Sequence, residues 1–155
     1  MKKTNNKGFS LVELIVVIAI MAVLIGVLAP TFTKYVERSK KSTDVQNVAS
    51  IITAVQTQAA DPMVAADDVV KTGTLTISTT VTKLTARPTG TTANDSIQKA
   101  LWDAGIKEWG LKSGKWGDGA ATSVTLTFTV GTDGGVTVTS DLDGKANDIL
   151  AGKYK

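Results

Sequence analysis

Residues 8–33 read GFSLVELIVVIAIMAVLIGVLAPTFT. Beyond Glu13 no charged residue occurs before Lys34. At about 1.5 Å of rise per residue, Leu14 to Thr33 makes a helix roughly 30 Å long, the thickness of a bilayer core. Glu13 stands just inside the apolar edge. An acidic side chain driven to the bilayer centre costs on the order of 2.5 to 3.5 kcal/mol, and less near the interface, so a carboxylate here calls for a partner or a task. Within the same run, Pro30 removes one backbone donor and crowds the preceding turn, and Gly26 lowers helix propensity, so a kink is expected between them.

An ordinary secretory signal explains this N-terminus less well. Val27-Leu28-Ala29 would serve as its cleavage site, but Pro30 follows immediately and Glu13 interrupts the apolar core. A plain single-span anchor explains the apolar run and leaves Gly8, Phe9 and Glu13 unaccounted for. Charge does not settle orientation, because Lys2, Lys3 and Lys7 on one side face Lys34, Arg38, Lys40 and Lys41 on the other.

After Lys41 the pattern changes. Val45, Val48, Ile52, Val55 and Ala59 recur at helical spacing, with Asp44, Gln46, Asn47, Gln56 and Gln58 off that line, which predicts one apolar helix face running to about Ala60 and stopped by Asp61-Pro62. Thr74 to Thr82 alternates apolar and hydroxyl residues, as does Ser123 to Val130. Gly131-Thr-Asp-Gly-Gly135 turns the second of these into Val136 to Thr139, a hairpin. Between the strands, Asp95 with Gln98 reads as the capping pair of a short helix whose apolar face is Ile97, Ala100, Leu101 and Ala104 and which Gly105 ends. The expected class is α+β, a long N-terminal helix packed against a small antiparallel sheet.

Composition removes several classes of function. The 155-residue chain has no cysteine and no histidine, so it has no disulfide, none of the usual zinc ligands and no Ser-His-Asp arrangement, and it shows no Gly-rich phosphate loop. Its net charge of +3 comes wholly from Lys2, Lys3 and Lys7, and without residues 1–8 basic and acidic side chains balance. The balance argues against specific nucleic-acid binding. Asp141-Leu-Asp143-Gly144 resembles a fragment of a calcium loop, but the first and last ligand positions of the EF-hand pattern fall on Thr139 and Leu150. A different calcium site using Asp133, Asp141 or Asp143 is the alternative to plain turn chemistry. Trp102, Trp109 and Trp116, seven residues apart, read as packing of a small head, with a carbohydrate-binding strip as the alternative. The dense threonines from Thr72 to Thr92 read as solvent-facing strand and loop positions, with glycosylation as the alternative. Lys34, Arg38, Lys40 and Lys41, with Glu37 and Asp44 among them, read as a solvated helix face, with attraction of anionic lipid or DNA as the alternative.

The run Lys7-Gly8-Phe9-Ser10-Leu11-Val12-Glu13-Leu14 resembles the type IV pilin family, including its pseudopilin relatives. In that family a short basic leader ends in glycine, and phenylalanine, a Ser/Thr-Leu-[Ile/Val]-Glu run and an apolar helix follow. The likeness covers roughly the first 35 residues. It implies cleavage by a prepilin peptidase between Gly8 and Phe9, N-methylation of Phe9, an assembly role for Glu13, and a helix kink at Pro30. It further implies a leader at 1–8, a membrane and filament-core helix at 9–33, its amphipathic continuation at 34–60 and a globular head at 61–155. The function implied is that of a structural pilus subunit rather than an enzyme, used for adhesion and motility. The alternatives are a pseudopilin of a type II secretion or competence system, or a minor pilin with a binding head. The implied partners are copies of the same chain, the peptidase, the assembly platform and ATPase, and the cytoplasmic membrane. The prepilin would cross that membrane once with its N-terminus in the cytoplasm, and the mature protein would reside in a cell-surface pilus. No cofactor or metal is expected.

Overall fold

The computed structural model describes residues 10–116 and 121–140. Its contacts divide the chain into two units, Met1–Glu37 and Arg38–Lys155. One helix, α1 (Leu11–Ala60), contributes to both.

In the first unit α1 has no core of its own. Leu11, Val23, Ile25, Val27 and Phe32 are 73%, 68%, 65%, 68% and 67% exposed, and the apolar side chains between them are exposed likewise. A continuous apolar surface of this kind is unfavourable in water and calls for lipid or apolar helices around it. By length and composition this helix is able to cross a membrane.

The second unit is α+β. A three-stranded antiparallel sheet has the order β1 (Gly73–Ser78), β4 (Ser123–Val130), β5 (Val136–Ser140), with Leu75 opposite Leu126 and Phe128 opposite Val138. The alternation read from the sequence puts Leu75, Ile77, Val124, Leu126 and Phe128 on the buried face and leaves Thr74, Thr76, Thr137 and Thr139 exposed. At the hairpin turn Gly134 takes φ +79°, the Asp133 carboxylate accepts from the Gly135 amide at 3.0 Å, and Gly131 donates to the Gly135 carbonyl at 2.7 Å. Helix α2 (Ala93–Asp103) supplies Ile97, Ala100 and Leu101 to the same core. Val48, Ile51, Ala54 and Val55 of α1 complete it.

Four expectations change. The buried face of α1 is Asp44, Val48, Ile51, Ala54 and Val55, while Val45, Ile52 and Ala59 are only half-buried. The 44-48-51-55 row is helical spacing too, and Ile51 and Val55 share one core with the buried face of the sheet. The first strand ends at Ser78 rather than Thr82, because the Ser78 carbonyl accepts from the Leu111 amide at 2.8 Å. The chain turns off, and Thr82–Lys83 (β2) pairs instead with Glu108–Trp109 (β3). The cap of α2 is Thr92, not Asp95. Its hydroxyl accepts from the Asp95 amide at 3.2 Å while the Asp95 carboxylate accepts from the Thr92 amide at 3.1 Å, so the capping box is Thr92–Asp95, one helical turn before Asp95–Gln98. At the other end, Gly105 (φ +81°) donates to the Trp102 carbonyl and Ile106 to the Leu101 carbonyl, which closes the helix as Gly105 predicts. Ala104, expected on the apolar face, is exposed.

An ion-pair network ties the loops to α2. Arg87 grips both carboxylate oxygens of Asp103 (2.8 and 2.7 Å) and donates to Asp68 at 2.8 Å, and the buried Lys99 ammonium reaches Asp68 at 2.9 Å. Hydrogen bonds from Arg87 and Lys99 hold the Asp68 carboxyl below its ordinary 3.8, and those from Thr92 lower Asp95. A carboxyl with a depressed folded-state pKa contributes stability that is present above its ordinary value and is lost as pH falls through the lowered one. The midpoint of urea unfolding is therefore expected to decline as pH drops below about 4. Asp68→Asn should make that decline shallower, leaving the part due to Asp95. Equal slopes for the two proteins would remove Asp68 from the account.

Candidate functional site

The functional residues read from the sequence lie at the start of α1. Gly8 and Phe9 fall outside the described residues. Ser10 occupies the position before the first helical residue, and its amide donates to Glu13 Oε2 at 2.9 Å, while Leu14 donates to the Ser10 carbonyl at 3.2 Å. Ser10 and Glu13 are thus spaced as a capping box, and Glu13 supplies the half in which the carboxylate returns to the cap amide. The negative charge also suits a helix N-terminus, where the unpaired amides give the dipole its positive end. Glu13 is exposed. Its carboxylate has a second oxygen to offer beyond the helix.

Farther along, Gly26 and Pro30 both lie inside α1 without breaking its helical assignment. In helical register the amide missing at Pro30 is the one that would bond to the Gly26 carbonyl, so the two residues act on the same hydrogen bond. The Thr33 hydroxyl donates to the Pro30 carbonyl at 3.0 Å. A Cβ at Gly26 would meet nothing within 4 Å, so packing within the chain does not require glycine there.

In the head, Asp44 departs from its expected place on a solvated face. It is fully buried, and its carboxylate accepts from the Lys112 amide at 2.6 Å, the Ser113 amide at 2.9 Å and the Trp116 indole N–H at 3.1 Å. Asp44 lies four residues before Val48, at the start of the buried row. An acid in register with a core stripe is the signal that it has partners elsewhere in the chain, and Lys40 and Lys41 one turn earlier mask that signal.

The tryptophans divide. Trp109 and Trp116 are buried in the core, whereas Trp102 is half-buried with Lys107 Nζ 4.7 Å from its ring centre. No flat aromatic strip for a sugar is formed from the three. Among the described residues no group of His, Cys, Asp and Glu is arranged to hold a metal ion. Asp133 is engaged in its own turn, and Asp141 and Asp143 lie outside the described residues.

A family profile described as "Prokaryotic N-terminal methylation motif" matches residues 3–29. The chain is 42% identical over 55 residues to prepilin peptidase-dependent protein A of Clostridium perfringens, covering 36% of this chain and 39% of that protein. It is 41% identical over 50 residues to the type IV major pilin protein PilA of Myxococcus xanthus, covering 32% of this chain and 23% of that protein. It is 34% identical over 55 residues to the type IV major fimbrial protein FimA of Dichelobacter nodosus, with coverage of 36% and 35%. The aligned stretches thus span less than two fifths of the length of these relatives. No solved structure matches the chain.

Proposed function

We propose that this chain is a structural filament subunit of the type IV pilin family, made as a membrane-anchored prepilin and polymerised after removal of residues 1–8. The observation that carries this reading is the first half of α1, an uncharged helical surface exposed on all sides with Glu13 at its N-terminal edge. The same surface is buried first in lipid and later against sister helices, so one segment serves both stages. The sheet-bearing head, with its own core, needs neither to stay folded.

In this reading a prepilin peptidase cuts between Gly8 and Phe9 and the Phe9 amine is methylated. Anchoring is by a single span with the N-terminus in the cytoplasm, and the mature subunits stand at the cell surface in a pilus serving adhesion and motility. An assembly platform and ATPase act as separate chains. Gly26 and Pro30 mark where α1 bends. The head, in a chain with no histidine and no cysteine, acts as a building block and not as an enzyme.

Intact-mass measurement on sheared surface material tests this directly. The expected mass is that of residues 9–155 plus one methyl group on the Phe9 amine. An N-terminus at Met1 or at Pro30 would falsify the processing scheme, and a bulky residue at position 8 should leave the uncut chain in the membrane.

A further inference from the structure

The loop from Gly110 to Trp116 is pinned at every second residue or closer. Leu111 donates to the Ser78 carbonyl, Lys112 and Ser113 to the Asp44 carboxylate, Lys115 to the Ser113 hydroxyl at 3.1 Å, and Trp116 through its indole to Asp44. The lysine side chains of this rigid loop are exposed. On α1, Lys40 and Lys41 precede Asp44 by four and three residues, which puts them on the turn flanking it. Lys41 Nζ lies 5.4 Å from the centre of the Trp116 ring. The Asp44 charge is turned inward onto its donors. The segment bearing Lys112 and Lys115 thus meets the turn of α1 bearing Lys40 and Lys41 at Asp44 and Trp116, although the two segments are about 70 residues apart in the chain. Glu37 is the acid next to that turn along α1.

We propose that these four lysines form a headgroup-binding face for anionic phospholipids of the membrane that holds the apolar half of α1. Two observations choose this occupant. The face is cationic and matches phosphate, and Lys40 follows Thr33, the end of the uncharged run, by only seven residues in the same helix. Lysine ammonium groups near an anionic leaflet each add appreciably to attraction within a Debye length. A lipid-held head keeps the subunit in the membrane pool, and entry into a filament must release the lipids. The inference rests on the reading of residues 14–33 as a membrane anchor.

The test uses the full processed chain reconstituted in nanodiscs of equal parts phosphatidylglycerol and phosphatidylcholine, with retained lipids counted by native mass spectrometry. The ratio of retained phosphatidylglycerol to phosphatidylcholine should exceed its bulk value by about tenfold or more, and the excess should fall steeply with added salt. Lys112→Gln with Lys115→Gln should reduce the preference by about tenfold, and Lys112→Arg with Lys115→Arg should retain it. Both pairs change only exposed ends, and tryptophan fluorescence checks that the loop stays in place. Alkaline extraction from pure phosphatidylcholine vesicles reads anchoring separately, so a chain that fails to insert overturns the anchor reading. A chain that inserts but shows no preference, or whose preference survives the glutamine pair, overturns the headgroup face. So does a glutamine pair that loses filaments while keeping the lipid preference, because the lysines would then serve subunit contacts.

Discussion

Glu13→Ala is expected to abolish surface filaments while leaving membrane insertion and cleavage after Gly8 largely intact. Once residues 1–8 are removed, Phe9 carries a positive α-amine. In a staggered bundle of apolar helices that amine on an incoming subunit can meet Glu13 of its neighbour. Apolar surfaces attract without direction and permit sliding, whereas charges about 4 Å apart in poorly hydrated surroundings attract far more than in water, although desolvation takes back much of the gain. The pair therefore sets vertical register more than it adds stability. The structure supplies a confounding effect, since Glu13 also accepts from the Ser10 amide at 2.9 Å and alanine would fray the first turn. Loss of such a cap costs about 0.5 to 2 kcal/mol, too little to prevent insertion of the apolar run that follows. Glu13→Gln separates the two roles, because its side-chain oxygen still accepts from Ser10 but carries no charge. Both variants should lack filaments, with processing intact by immunoblot, and co-expression with wild type should give only partial rescue. Normal filament numbers from the glutamine variant would assign Glu13 to capping alone.

Asp44→Ala should be the most damaging substitution in the head. Its carboxylate is the acceptor for the Lys112 and Ser113 amides and the Trp116 indole, and Asp44 itself has no exposed surface. A buried donor left without an acceptor costs about 1 to 3 kcal/mol, and donors bonded to a charged group lie at the upper end. All three donors lose their partner, and the Ser113 amide and the Trp116 indole do so in buried positions, so the loss is on the order of 3 to 5 kcal/mol, a large share of a small domain's stability. Urea unfolding followed by tryptophan fluorescence measures it, and Trp116 reports on the site itself. Asp44→Asn, nearly the same shape, should recover only part of the loss, because its amide group turns a donor toward other donors. A change below about 1 kcal/mol for alanine would mean that water replaces the carboxylate at no great penalty.

The N-terminal third was legible in the sequence because its information is local. Length without charge, the place of Glu13 and the order Gly8-Phe9-Ser10-Leu11-Val12-Glu13 depend only on residues close along the chain. The Val124–Val130 and Val136–Thr139 hairpin was legible for the same reason, since alternation and a Gly-rich turn are encoded within one short stretch. Gly105 likewise announced the end of α2, where φ +81° favours a residue without a Cβ.

The tertiary structure decided what depends on distant partners. The expected face through Val45, Val48, Ile52, Val55 and Ala59 and the observed one through Asp44, Val48, Ile51, Ala54 and Val55 share two residues and both fit helical spacing, and only tertiary packing selects the second. The strand after Thr74 has β-branched residues as far as Thr82, yet the Leu111 amide takes the Ser78 carbonyl and ends it early. Asp44 looked solvated among lysines because its three donors come from about 70 residues away, and Arg87 and Lys99 gave no local sign of meeting at Asp68. Periodicity states which faces an element can bury. Which of them it does bury, and which charge it takes inside, is set by long-range hydrogen bonds that no local pattern encodes.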